Sequence, residues 1–206
     1  MKSSLNRLVA RGVAAALLLG LFVAAAPGLA APPASFETPA REAILIDADT
    51  GAVLFEKEAD VPMPPASMSK MMTLYVLFER LREGKLKLTD TMTVSRNAWL
   101  KGGAASGGST MFLNPNDEIK VEDLIRGIVI QSGNDASVVV AEGISGTEEA
   151  FAEEMNRMAA KIGLRDSHFV NATGLPDPNH HMTARDIAIL SHRTIKEHPE
   201  YYHYYS

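Results

Sequence analysis

The run from Ala66 to Glu83 contains neither glycine nor proline and follows directly on the pair Pro64-Pro65. The prolines fix φ and push the preceding residue out of helical conformation, so the chain enters this run extended. Met71, Leu74, Tyr75, Leu77, Phe78 and Leu81 then recur at helical spacing. Ser67 falls in the first turn of that helix, and Lys70 lies three residues on, on the same face. A serine hydroxyl is a poor nucleophile until a base takes its proton. A lysine one turn away can be that base if burial or a neighbouring cation keeps it neutral. The helix N-terminus also favours negative charge developing at this position. A Ser-x-x-Lys alone reads more readily as a capping serine beside a solvated lysine, so the rest of the chain has to decide.

The remainder bounds the chemistry. Lys2, Arg7 and Arg11 precede the apolar run 13–26 and the small-x-small sequence Gly28-Leu29-Ala30, so residues 1–30 read as a secretory signal peptide cut after Ala30. The apolar run is short for a bilayer span. Loss of its three basic residues moves the formal charge from −5 to −8. An exported acidic chain without a basic stripe is not a nucleic-acid binder. There are no cysteines, which excludes disulfides, thiol catalysis and thiolate-held metals. The six histidines show no firm metal spacing and read as solvated or loop residues; no metal or cofactor is expected. Hydrophobic residues make up 46 % of the chain, enough for a packed core.

Along the chain, residues 31–41 form a flexible lead-in rich in Pro and Ala. Residues 43–47 and 52–56 form a hairpin around Asp49-Thr50-Gly51, apolar on both faces and hence expected within a larger sheet. Residues 92–94 form a short strand. The glycine-rich stretch 101–109 is a close-approach segment or flap, and it lacks the ending of a phosphate loop. A helix over 121–130 ends at Gln131-Ser132-Gly133-Asn134-Asp135, and another begins near Ala136. Ser132 and Asn134 therefore share a tight junction from which both side chains can enter one cleft, or in which they merely cap helix ends. Ser95-Arg96-Asn97 lies in a polar segment without flanking helices and suits a rigid site poorly. A helix over 147–162 stops at Gly163. The segment 169–179 is a loop; its Asn171-Ala172-Thr173 fits a glycosylation acceptor, a pattern too common to weigh. Thr183 caps a helix to Glu197, with Asp186 in the reciprocal capping position. The chain stops in a tyrosine-rich tail with nothing after it to pack on.

Several of these strings in this order resemble the low-molecular-mass penicillin-binding proteins, the serine-type D-alanyl-D-alanine carboxypeptidases of bacterial cell-wall metabolism. The matching text is 43–47 with Thr50-Gly51, 65–73, 108–113, 124–127, 131–136, Thr173-Gly174-Leu175 and Ala184-Arg185-Asp186. The resemblance runs from about residue 42 to about residue 197. It implies an α+β, β-lactamase/transpeptidase-like fold: an antiparallel sheet flanked by helices, plus a helical subdomain. It implies acyl transfer in which Ser67 attacks the carbonyl between two terminal D-alanines of a peptidoglycan stem peptide and Lys70 takes its proton. Ser132 relays a proton to the leaving D-alanine, and Asn134 binds the substrate amide. β-Lactams would acylate the same serine, in the periplasm or on the outer face of the cytoplasmic membrane.

The chain departs from the family in one respect. The family's third motif, Lys-Thr-Gly or Lys-Ser-Gly on a strand bordering the cleft, occurs nowhere in the sequence. Nor do the family's sheet-completing strands and C-terminal membrane anchor. Residues 42–206 are thus expected to be an incomplete domain, cut before the third motif and with reduced activity or none. Three alternatives stay open: a peptidoglycan DD-endopeptidase, a β-lactamase, or a non-catalytic wall-binding or penicillin-sensing module.

Overall fold

The structure is a computed structural model and describes residues 37–206. The expected signal peptide and the lead-in up to residue 36 lie outside the described residues. The architecture is α+β. A 3-10 turn, Ala66–Ser69, runs straight into helix α1, Lys70–Arg82. Every residue from Met72 to Glu79 is buried, so α1 is covered all round rather than on one stripe, as befits a helix at the centre of a core. Around it pack α4 (Asn134–Ser145), α5 (Glu148–Ile162) and α6 (Ala184–Glu197). Helix α6 starts at its expected cap, Thr183 Oγ1 accepting from Asp186 N, and α5 starts at a second one, Thr147 Oγ1 accepting from Ala150 N. The expected reciprocal bond from Asp186 is not made. Its carboxylate instead accepts from Arg165 N, Asp166 N and Ser167 Oγ, tying the preceding loop to α6.

Strands β1 (Ala43–Ile46) and β2 (Val53–Lys57) pair antiparallel, with Leu45 opposite Phe55. The hairpin packs on α6 through β1. It departs from the expectation of full burial: Leu45, Val53 and Leu54 are exposed, and no third strand joins the hairpin among the described residues. Strand β3 (Thr91–Thr93) lies near its expected place. Its partner β4 (Glu118–Lys120) carries a Glu-Ile-Lys pattern too short to read from sequence.

Three further expectations are corrected. Arg96–Gly102 is a helix, α2, capped by Ser95 Oγ accepting from Ala98 N, so the Ser95-Arg96-Asn97 triplet opens a helix, and Asn97 bonds Glu142. Two histidines lie in loops but are not solvated: His180 and His198 are 3 % and 0 % exposed, and the ring nitrogens of His198 make no hydrogen bond among the described residues. The tyrosine tail also finds partners. Tyr201 stacks on Phe78, with ring centroids 5.0 Å apart, and Tyr204 is buried against the Arg126 guanidinium. Among the described residues no helix is long and apolar enough to cross a membrane.

Candidate active site

The site is built on the turn that precedes α1. Pro65 is already in helical conformation, so the entry is not extended throughout, and Ala66 takes φ +48°. That left-handed backbone is costly for a residue with a β-carbon. The turn brings Ser67 Oγ to 3.1 Å from Lys70 Nζ. The amine also donates to the Thr173 carbonyl at 2.9 Å. Lys70 is 4 % exposed, and burial pulls its pKa down from 10.5 to about 8. Of the two routes by which a lysine can be held near neutrality, desolvation is the one at work here.

The carbonyl that receives the amine sits on a braced loop. Asn171 Oδ1 accepts from Thr173 N, Thr173 Oγ1 and Gly174 N, closing an Asx turn. Thr73 Oγ1 donates to the Ala172 carbonyl, and Ala172 N donates to the buried Glu148, which pairs with Lys101. Sequence reasoning missed this brace. The signal was Asn171 two and three residues before Thr173-Gly174, a turn signature read only as a glycosylation pattern.

Helix α3, Val121–Gln131, ends as expected, and Ser132 terminates it in left-handed conformation, φ +54°. Gly133 N bonds back to the Gly127 carbonyl at 3.0 Å, and Asn134 opens α4. Asp135, fully buried, accepts from Thr110 Oγ1, Met111 N, Leu113 N and Ala136 N. One carboxylate thus clamps the 110–113 segment onto the junction. Asn134 N donates to the Ser109 carbonyl at 2.8 Å. Gly102 has to be glycine: a β-carbon there would lie 2.1 Å from Asp135 N, against backbone that cannot rotate away. The close approach expected of the glycine-rich stretch occurs at this residue, against the junction.

Two cavities meet at Ser67. The smaller, about 150 Å³, is lined by Ser67, Lys70, Ser132 and Tyr205. The larger, about 540 Å³, is lined by Ser67, Asn134, Ser109, Pro65, Leu175 and His180. The four residues expected of the site from sequence therefore line two cavities that share Ser67: Lys70 and Ser132 line the smaller, Asn134 the larger. The Ser132 hydroxyl is buried and has no hydrogen-bond partner among the described residues. Nor do the described residues hold a group of three or more metal-ligating side chains. A hydroxyl beside an amine whose pKa is lowered to about 8, with a second hydroxyl and a carboxamide at hand, is equipped for acyl transfer through an ester.

The chain is similar to known proteins over most of its length. Residues 28–206 match the family model described as D-alanyl-D-alanine carboxypeptidase. The chain is 43 % identical over 157 residues to D-alanyl-D-alanine carboxypeptidase DacF of Bacillus subtilis, covering 76 % of this chain and 39 % of that one. It is 43 % identical over 204 residues to DacC of Escherichia coli, covering 97 % of this chain and 50 % of the relative. Its structure superposes on the D-alanyl-D-alanine carboxypeptidase DacD from Francisella tularensis with a TM-score of 0.80 at 36 % identity, over 89 % of this chain and 45 % of that one. The chain thus spans half the length, or less, of these relatives.

Proposed function

The chain belongs to the D-alanyl-D-alanine carboxypeptidase family, and from that premise we propose that it removes the terminal D-alanine of peptidoglycan stem peptides through an ester on Ser67. The observation that carries this reading is the 3.1 Å approach of Ser67 Oγ to a buried amine whose pKa lies at about 8. Lys70, in its neutral form, takes the Ser67 proton as Oγ bonds to the carbonyl carbon of the penultimate D-alanine. The Ser67 backbone N–H, in the first turn before α1, is one donor to the oxyanion. As the C–N bond breaks, the proton passes from Lys70 through Ser132 to the departing amine. Asn134 donates to the substrate amide from the open side of the cleft. Water then attacks the ester, releasing the shortened peptide and returning the proton to Ser67. A β-lactam carbonyl enters by the same first step. Action on the cell wall puts the site of work outside the cytoplasmic membrane, in keeping with a leader over residues 1–30.

The test is release of D-alanine from a pentapeptide ending in D-Ala-D-Ala, with mass spectrometry of the protein after penicillin treatment. A penicilloyl adduct on Ser67, lost in Ser67→Ala, is the expected result. A folded parent that takes up no adduct, or an adduct that survives in Ser67→Ala, overturns the reading. A second reading, a penicillin-sensing or wall-binding module without turnover, is favoured by one observation: desolvation alone lowers the Lys70 pKa, and no cation contributes. An adduct on Ser67 without multiple-turnover release of D-alanine selects that reading.

A further inference from the structure

Two residues beyond Ser67 the same turn carries a second serine, and it is held by a histidine from the opposite wall. Ser69 Oγ lies 2.7 Å from His180 Nε2. Both residues are buried, Ser69 completely and His180 to within 3 %. The Val170 N–H points at His180 Nδ1 from 3.4 Å, which puts the ring proton on Nε2, where it is donated to Ser69 Oγ. The Phe169 ring meets the imidazole edge-on, with centroids 5.6 Å apart. Complete burial rules Ser69 out as a second nucleophile.

The bond closes a frame around the reacting groups. The turn Ala66–Ser69 carries Ser67, and residues 173–180 form the facing wall. The wall meets the turn and the start of α1: the Thr173 carbonyl receives the Lys70 amine, Gly174 packs on the Ala66 carbonyl and beside Ser69 Oγ, and His180 holds Ser69. Only the last is a bond between two side chains outside the expected reacting set. We propose that His180 is a positioning residue: through Ser69 it locks the nucleophile turn onto the loop that holds the Lys70 amine, and so keeps that amine dry and within reach of Ser67. The inference rests on the proposed role of Ser67 and Lys70.

Burial holds the His180 pKa down at about 4, so the imidazole is a neutral donor at neutral pH; Asp177, His168 and His181 are the charged or titratable groups that act on it. Around Lys70 the facing groups are the Ser67, Ser132 and Tyr205 side chains and the Thr173 carbonyl. A turn released from His180 admits water to the amine, and its pKa climbs back toward 10.5.

The test is the pH dependence of Lys70 labelling by a limiting acylating reagent, read by peptide mass spectrometry on the full chain, which requires no turnover. The parent midpoint is expected at about 8. In His180→Ala the midpoint rises by about one unit or more. In His180→Gln, whose side-chain N–H can serve the same hydroxyl, it stays with the parent. Ser69→Ala, a smaller change made from the other side of the bond, should reproduce the rise if His180→Ala does not fold. A folded His180→Ala or Ser69→Ala that titrates with the parent overturns this inference and leaves the proposed function standing. A parent midpoint near 10.5 overturns the proposed function, and the positioning role with it.

Discussion

Gly174 packs so tightly on Ala66 that a β-carbon at residue 174 would lie 1.8 Å from the Ala66 carbonyl oxygen. Both residues take a positive φ, +80° at Gly174 and +48° at Ala66. Gly174 bears that conformation without penalty, whereas Ala66 is held in it by its surroundings. Gly174→Ala therefore meets both a backbone penalty and a clash with backbone, which cannot rotate away. The expected loss is about 2–4 kcal/mol of folding stability, read by urea denaturation, together with slower penicillin labelling of Ser67. A variant within about 0.5 kcal/mol of the parent would show that the loop and the turn do not interlock.

Asp135 serves four donors with one carboxylate and is fully buried. Asn in its place keeps the shape but turns an NH₂ group toward N–H and O–H donors. That leaves buried donors unpaired at about 1–3 kcal/mol each. Asp135→Asn is expected to lose about 2–3 kcal/mol and to free the 110–113 segment, seen as faster amide exchange at Met111 and Leu113. Unchanged protection at those two amides would mean that the clamp lies elsewhere.

How far the sequence reached follows from the range of the forces involved. Helix α1, the junction at Ser132-Gly133-Asn134 and the cap at Thr183 are local affairs of periodicity, turn chemistry and capping, and they stand within a few residues of expectation. The expected site residues Ser67, Lys70, Ser132 and Asn134 come together because two helix ends face one another. What stayed hidden depends on partners distant in the chain. Nothing near His180 announces that it will be buried against Ser69, 111 residues away. Strand β4 exists through its pairing with β3, and Ala66, at positive φ, packs against Gly174 from far along the chain.

Lys70 acts as a base only when neutral, and its pKa lies at about 8 rather than 10.5. Below that value the amine is protonated and cannot accept the Ser67 proton. The rate of Ser67 acylation by a β-lactam is therefore expected to rise about tenfold per pH unit below the midpoint and to level off above about pH 8. Stopped-flow or fluorescent-penicillin kinetics across that range checks it. A profile flat from pH 6 to 9, at about those limits, would remove Lys70 as the base.

His180 resists protonation in the folded state, where its pKa is about 4 against 6.5 for a free side chain. Between these values the unfolded chain binds a proton that the folded chain does not, so stability rises with pH through this window and falls on acidification from 6.5 toward 4. The shift corresponds to a loss on the order of 3 kcal/mol once pH has fallen to the lower value. Carboxylates add to the acid loss in any protein, so the contribution of His180 is read as a difference. His180→Gln should flatten the dependence of unfolding free energy on pH between about 6.5 and 4, as measured by urea denaturation at several pH values. Parallel curves for parent and variant would contradict this.

Ser132 offers the sharpest separation of stability from chemistry. Its hydroxyl is buried and lacks a hydrogen-bond partner among the described residues, so it contributes desolvation without a compensating bond. Its left-handed backbone costs the same with alanine as with serine, since both carry a β-carbon. Ser132→Ala should therefore leave folding stability unchanged or raise it by up to about 1 kcal/mol. If the hydroxyl passes the proton to the leaving nitrogen, the same variant should lose about 10²–10⁴ in D-alanine release. Capture of penicillin at Ser67, which needs Lys70 first, should suffer less. Urea denaturation, D-alanine release and adduct formation on one preparation separate the outcomes. A Ser132→Ala variant that is destabilised and still turns over would make Ser132 a structural residue of the helix junction, and the proton would have to leave Lys70 by another route.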